Sequence, residues 1–102
     1  MIMKIPKQIK IGGHTYKVKE DHKFVERSDL LGLCDHYQRI IFITPFDVNG
    51  AKRGRTGIEE TFIHELLHAV DEIYNSKKLE EDTVKRISEG LYQVFKDNDL
   101  LR

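Results

Sequence analysis

His64-Glu65-Leu66-Leu67-His68 sets two imidazoles four residues apart with a carboxylate between them. On an α-helix the side chains at i and i+4 stand one above the other, so both rings can offer a nitrogen to one metal ion. Glu65 projects beside them, within reach of a proton on a metal-carried water. This is the H-E-x-x-H arrangement of zinc metallopeptidases, in which the metal acidifies water and the glutamate is the general base. His64 and His68 are therefore candidate zinc ligands, and Glu65 is the candidate catalytic residue.

The arrangement works only on a helix, and the flanking residues predict one. Ile63, Leu66, Leu67, Val70 and Tyr74 recur at helical spacing and give one apolar stripe from about Ile58 to Tyr74. The two histidines fall together at one flank of that stripe. Thr56-Gly57-Ile58-Glu59 reads as a capping box, with Thr56 as N-cap and Glu59 reaching back. Asn75-Ser76-Lys77-Lys78 is a polar turn of a length that folds two helices against each other. A second helix is expected from about Leu79 to Lys96, with Val84, Ile87, Leu91, Val94 and Phe95 as its apolar stripe and Asp97-Asn98-Asp99 as its end. The last three residues, Leu100-Leu101-Arg102, are expected to fray.

The N-terminal half alternates in the manner of strands. Gln8 to Ile11 and Thr15 to Lys19 flank Gly12-Gly13 and predict a tight hairpin whose outward residues are mostly lysine. Leu30 to Asp35 and Arg39 to Thr44 form a second pair around Asp35-His36-Tyr37-Gln38. Ile40-Ile41-Phe42-Ile43 is the most apolar stretch of the chain and predicts a central, well-covered strand, which Pro45 ends. Strands first and two helices after predict an α+β fold: a small twisted, antiparallel-rich sheet of three to four strands packed on the motif helix and a C-terminal helix.

Composition narrows the rest. The 102 residues suit a single domain, 1–102, and 17 basic residues balance 17 acidic ones, so no net field points to nucleic acid or membrane. No apolar run approaches membrane-spanning length, and Met1 to Pro6 is too short and too soon interrupted for a signal peptide. Cys34 is the one cysteine, which leaves neither a disulfide framework nor a thiolate metal cluster and makes a cytoplasmic compartment the expectation. As a side chain it reads as a small apolar strand residue rather than a reactive thiol. The loop Gly50-Ala51-Lys52-Arg53-Gly54-Arg55-Thr56-Gly57 gathers three cations ahead of a helix, a setting that can hold phosphate or nucleic acid. It lacks the order of a phosphate loop, and a solvated connector accounts for it better.

A catalytic zinc usually takes three protein ligands and keeps a position for water. The downstream histidine of metzincins is missing from this chain, so the third ligand must be an acid of the second helix: Glu80, Glu81, Asp82 or Glu89. Glu81 precedes Val84 by three residues and Ser88 by seven, which sets it beside the inward face, in the first turn near the connector. Glu80 is the next choice. Asp71, one turn beyond His68, is either a second acceptor for a zinc-bound histidine or an exposed helix acid.

His64-Glu65-Leu66-Leu67-His68-Ala69-Val70 followed by Glu81-x-x-Val84-x-x-Ile87-Ser88-x-x-Leu91 resembles the ImmA/IrrE-type zinc peptidases. It is closer still to the small phage-encoded metallopeptidases made of little more than this core. Ile5-Pro6-Lys7 with Ile11-Gly12-Gly13-His14-Thr15-Tyr16, and Gly90 to Asn98, extend the similarity over nearly the whole chain. The resemblance implies a minimal gluzincin fold with Glu81 as the third ligand to one zinc ion. Where some gluzincins carry an acid four residues after that glutamate, this chain has Lys85. The usual transition-state donor is a His or Tyr; by residue type His36, Tyr37 and His14 are the candidates. The expected function is hydrolysis of a peptide or protein substrate, extended along a sheet edge, by zinc-activated water with Glu65 as base. The alternative is a regulatory or interaction module that binds zinc without catalysis. Nucleic acid and membrane are not expected as partners, and oligomeric state is left open.

Overall fold

Strands precede helices, as the change in hydrophobic period predicts. In residues 3–21 and 30–100, which the computed structural model describes, the order is β1 Gln8–Ile11, β2 His14–Lys19, β3 Gly32–Asp35, β4 Ile40–Ile43, α1 Arg55–Tyr74 and α2 Glu81–Asp97. Met1, Ile2, Leu101 and Arg102 lie outside the described residues. The four strands make one mixed sheet in the order β1-β2-β4-β3. The β1–β2 and β3–β4 pairs are antiparallel, and β2 runs parallel to β4 with Val18 opposite Ile41. The architecture is the α+β arrangement of a small sheet and two helices.

Local residue types account for the elements. Gly12 and Gly13 both take positive φ, +56° and +84°, the backbone demanded by a two-residue hairpin turn. Gly12 is also a close-approach point, since a Cβ there would lie 2.2 Å from Ile73 Cγ2 of α1. The apolar run of β4 occupies the centre of the sheet, with Ile41 and Ile43 fully buried. Tyr16 and Val18 of β2 and Met3, Ile5 and Ile11 complete the sheet side of the core, and Ile58, Phe62, Ile63 and Ala69 of α1 pack onto it.

The helix faces differ from those the stripes predict. Thr56 is not the N-cap of α1: the helix starts two residues earlier than such a cap would set, at Arg55, Gly54 takes the cap position, and no side chain caps it. Glu59 turns inward instead. It is 2 % exposed, its Oε1 accepts from the Tyr92 hydroxyl at 2.6 Å, and its Oε2 accepts from the Met3 backbone N–H at 3.1 Å. Arg55 Nε stands 3.6 Å from the same carboxylate. Val70 and Tyr74 are exposed, because the buried arc of α1 that meets the sheet centres on Phe62, Leu66, Ala69 and Ile73. On α2 the buried line is Val84, Ser88 and Tyr92, with Phe95 partly buried, while Ile87, Leu91 and Val94 stay exposed. Polar anchors set this rotation: Tyr92 must reach Glu59, and an unpaired buried carboxylate costs more than a half-exposed leucine.

The basic loop is also more ordered than a free connector. The Arg53 guanidinium donates to the carbonyls of Leu31, Thr44 and Gly57 and to Thr61 Oγ1. It ties the approach to β3, the end of β4 and the first turns of α1 into one corner. Arg55 pairs with Glu20 at 2.7 Å. Two of the three cations are thus committed to the fold. Among the described residues no helix is long and apolar enough to cross a membrane.

The Tyr92–Glu59 bond joins α2 to α1 through a charged acceptor. Tyr92→Phe should therefore cost about 1.5–3 kcal/mol of unfolding free energy, the range for hydrogen bonds to charged groups. Urea titration of both proteins checks it, with a midpoint shift at unchanged slope as the expected result.

Candidate metal centre

The helical repeat brings His64 and His68 to one face of α1, with ring centroids 4.9 Å apart. Glu81, in the first turn of α2, meets both. Its Oε1 lies 2.7 Å from His64 Nε2 and its Oε2 lies 2.8 Å from His68 Nε2. One ligand atom from each of the three residues falls within 4.8 Å of the others, so the group can hold a metal ion. Two imidazoles and a carboxylate are the donor set of a catalytic metal site that keeps a coordination position for water. The chemistry of these donors therefore fits a metal ion.

The other acids of α2 stand elsewhere. Glu80 is the exposed N-cap residue of α2, and Asp82 pairs with Arg86 one turn on at 3.1 Å. Glu89 lines the cleft but is not in the ligand group. Of the acids proposed from sequence, Glu81 alone joins the two histidines.

Asp71 explains how Glu81 arrives there. It is 2 % exposed, neither a solvated helix acid nor a hydrogen-bond partner of His68, and this corrects both expectations for it. Its carboxylate accepts from the Leu79 backbone N–H and from Asn75 Nδ2, and its carbonyl accepts from the N–H groups of Asn75 and Lys77. Ser76 and Lys77 adopt positive φ, 53° and 56°, inside the turn so held. One buried side chain thereby folds the connector back and anchors it at Leu79, two residues before Glu81 opens α2.

Glu65 lies beside His64 in the same cleft, against the edge strand β3. It is 7 % exposed. A Cβ on Gly32 would sit 3.0 Å from Glu65 Oε2 and 2.5 Å from Thr61 Cγ2, so only glycine lets the strand approach this closely. Burial pushes the Glu65 carboxyl up to about 8, the Glu81 carboxylate pushes the same way, and a hydrogen bond from the Cys34 backbone opposes the rise. Burial also lowers the His68 pKa, partly offset by Glu81, which favours the neutral imidazole that a metal requires. A cleft of about 500 Å³ opens between β3 and α2, with His64, Glu65 and Glu81 among its lining residues.

The candidates for a transition-state donor are dispersed. Tyr37 is 94 % exposed, and His14 begins β2 at the glycine turn. His36 follows β3, its Nδ1 3.5 Å from Cys34 Sγ, and its charge bears on His68. None of the three is among the residues lining the cleft. Ser88 is a residue that the sequence did not single out for the site: it is 1 % exposed, with Oγ 3.4 Å from His64 Nδ1. Its signal was present as the position two helical turns after Glu81, on the same face.

Compared with protein-family models, curated proteins and solved structures, the chain matches none.

Burial pushes the Cys34 thiol up to about 12, and the Glu65, Asp35 and Glu72 carboxylates add to the rise. Thiolate is the reactive form, and its fraction falls tenfold for each unit of pKa. Alkylation of Cys34 by iodoacetamide at pH 8 should run at least about tenfold slower in the folded chain than in urea. The folded-state rate should still be climbing at pH 10. A plateau near pH 8.5 would contradict the buried-thiol assignment.

Proposed function

We propose that the chain is a zinc-dependent peptidase in which His64, His68 and Glu81 hold one ion and Glu65 is the general base. The observation that carries this reading is the meeting of three ligand atoms from two helices beside a buried carboxylate that itself stays out of the ligand group. Zinc is the natural occupant of such a nitrogen-and-oxygen set. When bound, it supplies Lewis acidity, acidifying a water and polarising a scissile carbonyl.

The protein's own groups do the remainder. Glu65 takes the water proton onto a carboxylate oxygen and returns it to the leaving amine. Burial and the neighbouring Glu81 carboxylate raise its proton affinity, a hydrogen bond from the Cys34 backbone opposes the rise, and a more basic carboxylate is the better proton acceptor. Burial disfavours the charged form of His68, with Glu81 opposing, and so favours an imidazole with a lone pair to offer. Among the described residues β3 is an edge strand of the sheet, and its outer backbone groups suit an extended peptide added as a further strand. Gly32 lets that strand lie against Glu65, which would bring a peptide paired there close to the base. The resemblance to small phage-encoded metallopeptidases points to the same chemistry and to a peptide or protein substrate rather than nucleic acid.

The experiment is metal analysis together with cleavage of a peptide library by wild type, Glu65→Gln and Glu81→Ala. Wild type should carry one zinc per chain and cleave. Glu65→Gln should keep its zinc and lose about two to four orders of magnitude in turnover, the scale of general acid–base catalysis. Glu81→Ala should lose the ion. Full activity in Glu65→Gln would overturn the role of Glu65. A zinc-loaded wild type that cleaves nothing, and unfolds on chelation, would favour a non-catalytic zinc module.

A further inference from the structure

α2 touches both nitrogens of the same imidazole. Glu81 Oε1 meets His64 Nε2 at 2.7 Å from the first turn of the helix. Ser88, two turns later on the same face, brings its Oγ to 3.4 Å from His64 Nδ1. That hydroxyl also donates to the Lys85 carbonyl at 3.0 Å. Ser88 is 1 % exposed, so bulk water does not compete for either bond. No polar side-chain atom buried in the described structure lacks a partner.

A hydroxyl has one proton to give and two lone pairs to receive with. With its proton directed to the Lys85 carbonyl, Ser88 Oγ faces His64 Nδ1 with a lone pair. A nitrogen facing that lone pair makes the contact a hydrogen bond when it carries the hydrogen. With no ion, the 2.7 Å contact to Glu81 calls for a hydrogen on Nε2; a metal ion would take that hydrogen's place, leaving the neutral ring its one hydrogen at Nδ1 and its lone pair at Nε2, where His68 and Glu81 converge. The position that holds an acid in some gluzincins is Lys85 here, and Lys85 contributes its backbone carbonyl instead.

We infer that Ser88 is a positioning residue for the metal, fixing His64 in the Nδ1-protonated tautomer through the relay His64 Nδ1–H to Ser88 Oγ–H to the Lys85 carbonyl. This inference rests on the metal site proposed above and adds to it the group that orients one of its ligands. The relay is neutral throughout, so it orients the ring without putting a second carboxylate beside Glu81. It also couples ligand geometry to α2: the helix that delivers Glu81 sets the ring plane of His64 with the same face. Outer partners of metal-bound histidines govern affinity by about 10- to 100-fold, and this is the effect expected of Ser88.

The test reads zinc binding and proton position, neither of which requires turnover. Zinc affinity is measured by competition with a chromophoric chelator for wild type, Ser88→Ala and Ser88→Thr, with urea midpoints recorded for each. Ser88→Ala should bind zinc about 10- to 100-fold more weakly, and Ser88→Thr, which restores the hydroxyl, should recover most of that loss. Nitrogen-15 NMR of the zinc-loaded wild type should show His64 protonated at Nδ1, with a proton that exchanges faster in Ser88→Ala. Zinc affinity of Ser88→Ala within twofold of wild type, with the Nδ1 proton unchanged, would overturn the inference. If Ser88→Ala fails to fold, an unprotonated Nδ1 in the loaded wild type overturns it just as directly. A wild type that binds no zinc would remove the metal reading itself, and is thereby distinguished from failure of the relay alone.

Discussion

The site depends on one constraint: a carboxylate at the start of α2 must come within hydrogen-bonding distance of two imidazoles in the middle of α1. Helix geometry brings the two histidines together unaided, but nothing local to either helix brings Glu81 to them. Asp71 supplies the missing condition. Buried on the same helix as the histidines, it binds the backbone of the connector at Leu79 and closes the turn through Asn75 and Lys77. The left-handed backbone at Ser76 and Lys77 is costly for residues with a Cβ, and the hydrogen bonds to Asp71 offset it. The distance from Asp71 to Glu81 is therefore set by chain length and a turn, both rigidly specified.

The rest of the fold can be understood as support for that meeting. The sheet presents the apolar residues of β2 and β4 to α1, which fixes the rotation of the motif helix. Glu59 and Tyr92 then fix α2 from its far end, while Glu81 fixes it at the near end. Between them Ser88 contacts His64. The edge strand β3 closes the other side, and Gly32 lets it come close enough to bury Glu65. Arg53 secures the same corner by gathering three carbonyls and a hydroxyl from the segments that meet there. A His-His-Glu group able to hold a metal ion is thus held by polar contacts distributed over both helices and the sheet. The hydrophobic core sets the motif helix against the sheet, and the polar contacts set α2 and the edge strand around it.

The features legible in the sequence were those whose geometry is local. The hairpin at Gly12-Gly13, the apolar strand at Ile40 to Ile43 and the two histidines one turn apart each follow from a repeat of a few residues. Glu81 was legible too, because its position relative to Val84 and Ser88 survives the rotation of α2. What escaped were the contacts between distant residues. Glu59 has the spacing of a capping-box acid, yet its partners lie 33 residues ahead at Tyr92 and 56 behind at Met3. Asp71 looks like any helix acid until the connector folds over it. Ile87, Leu91 and Val94 make the more hydrophobic stripe of α2, but that stripe carries no group able to satisfy Glu59 or His64. A local ranking by hydrophobicity cannot see that a serine and a tyrosine must face inward.

Ligation of a metal ion by two histidines and one glutamate is read by X-ray absorption at the zinc edge of the loaded protein. The expected spectrum has nitrogen and oxygen neighbours at about 2.0–2.1 Å, more distant scattering from two imidazole rings, and no sulfur. A sulfur shell near 2.3 Å, which would implicate Cys34, or the absence of imidazole scattering would contradict it.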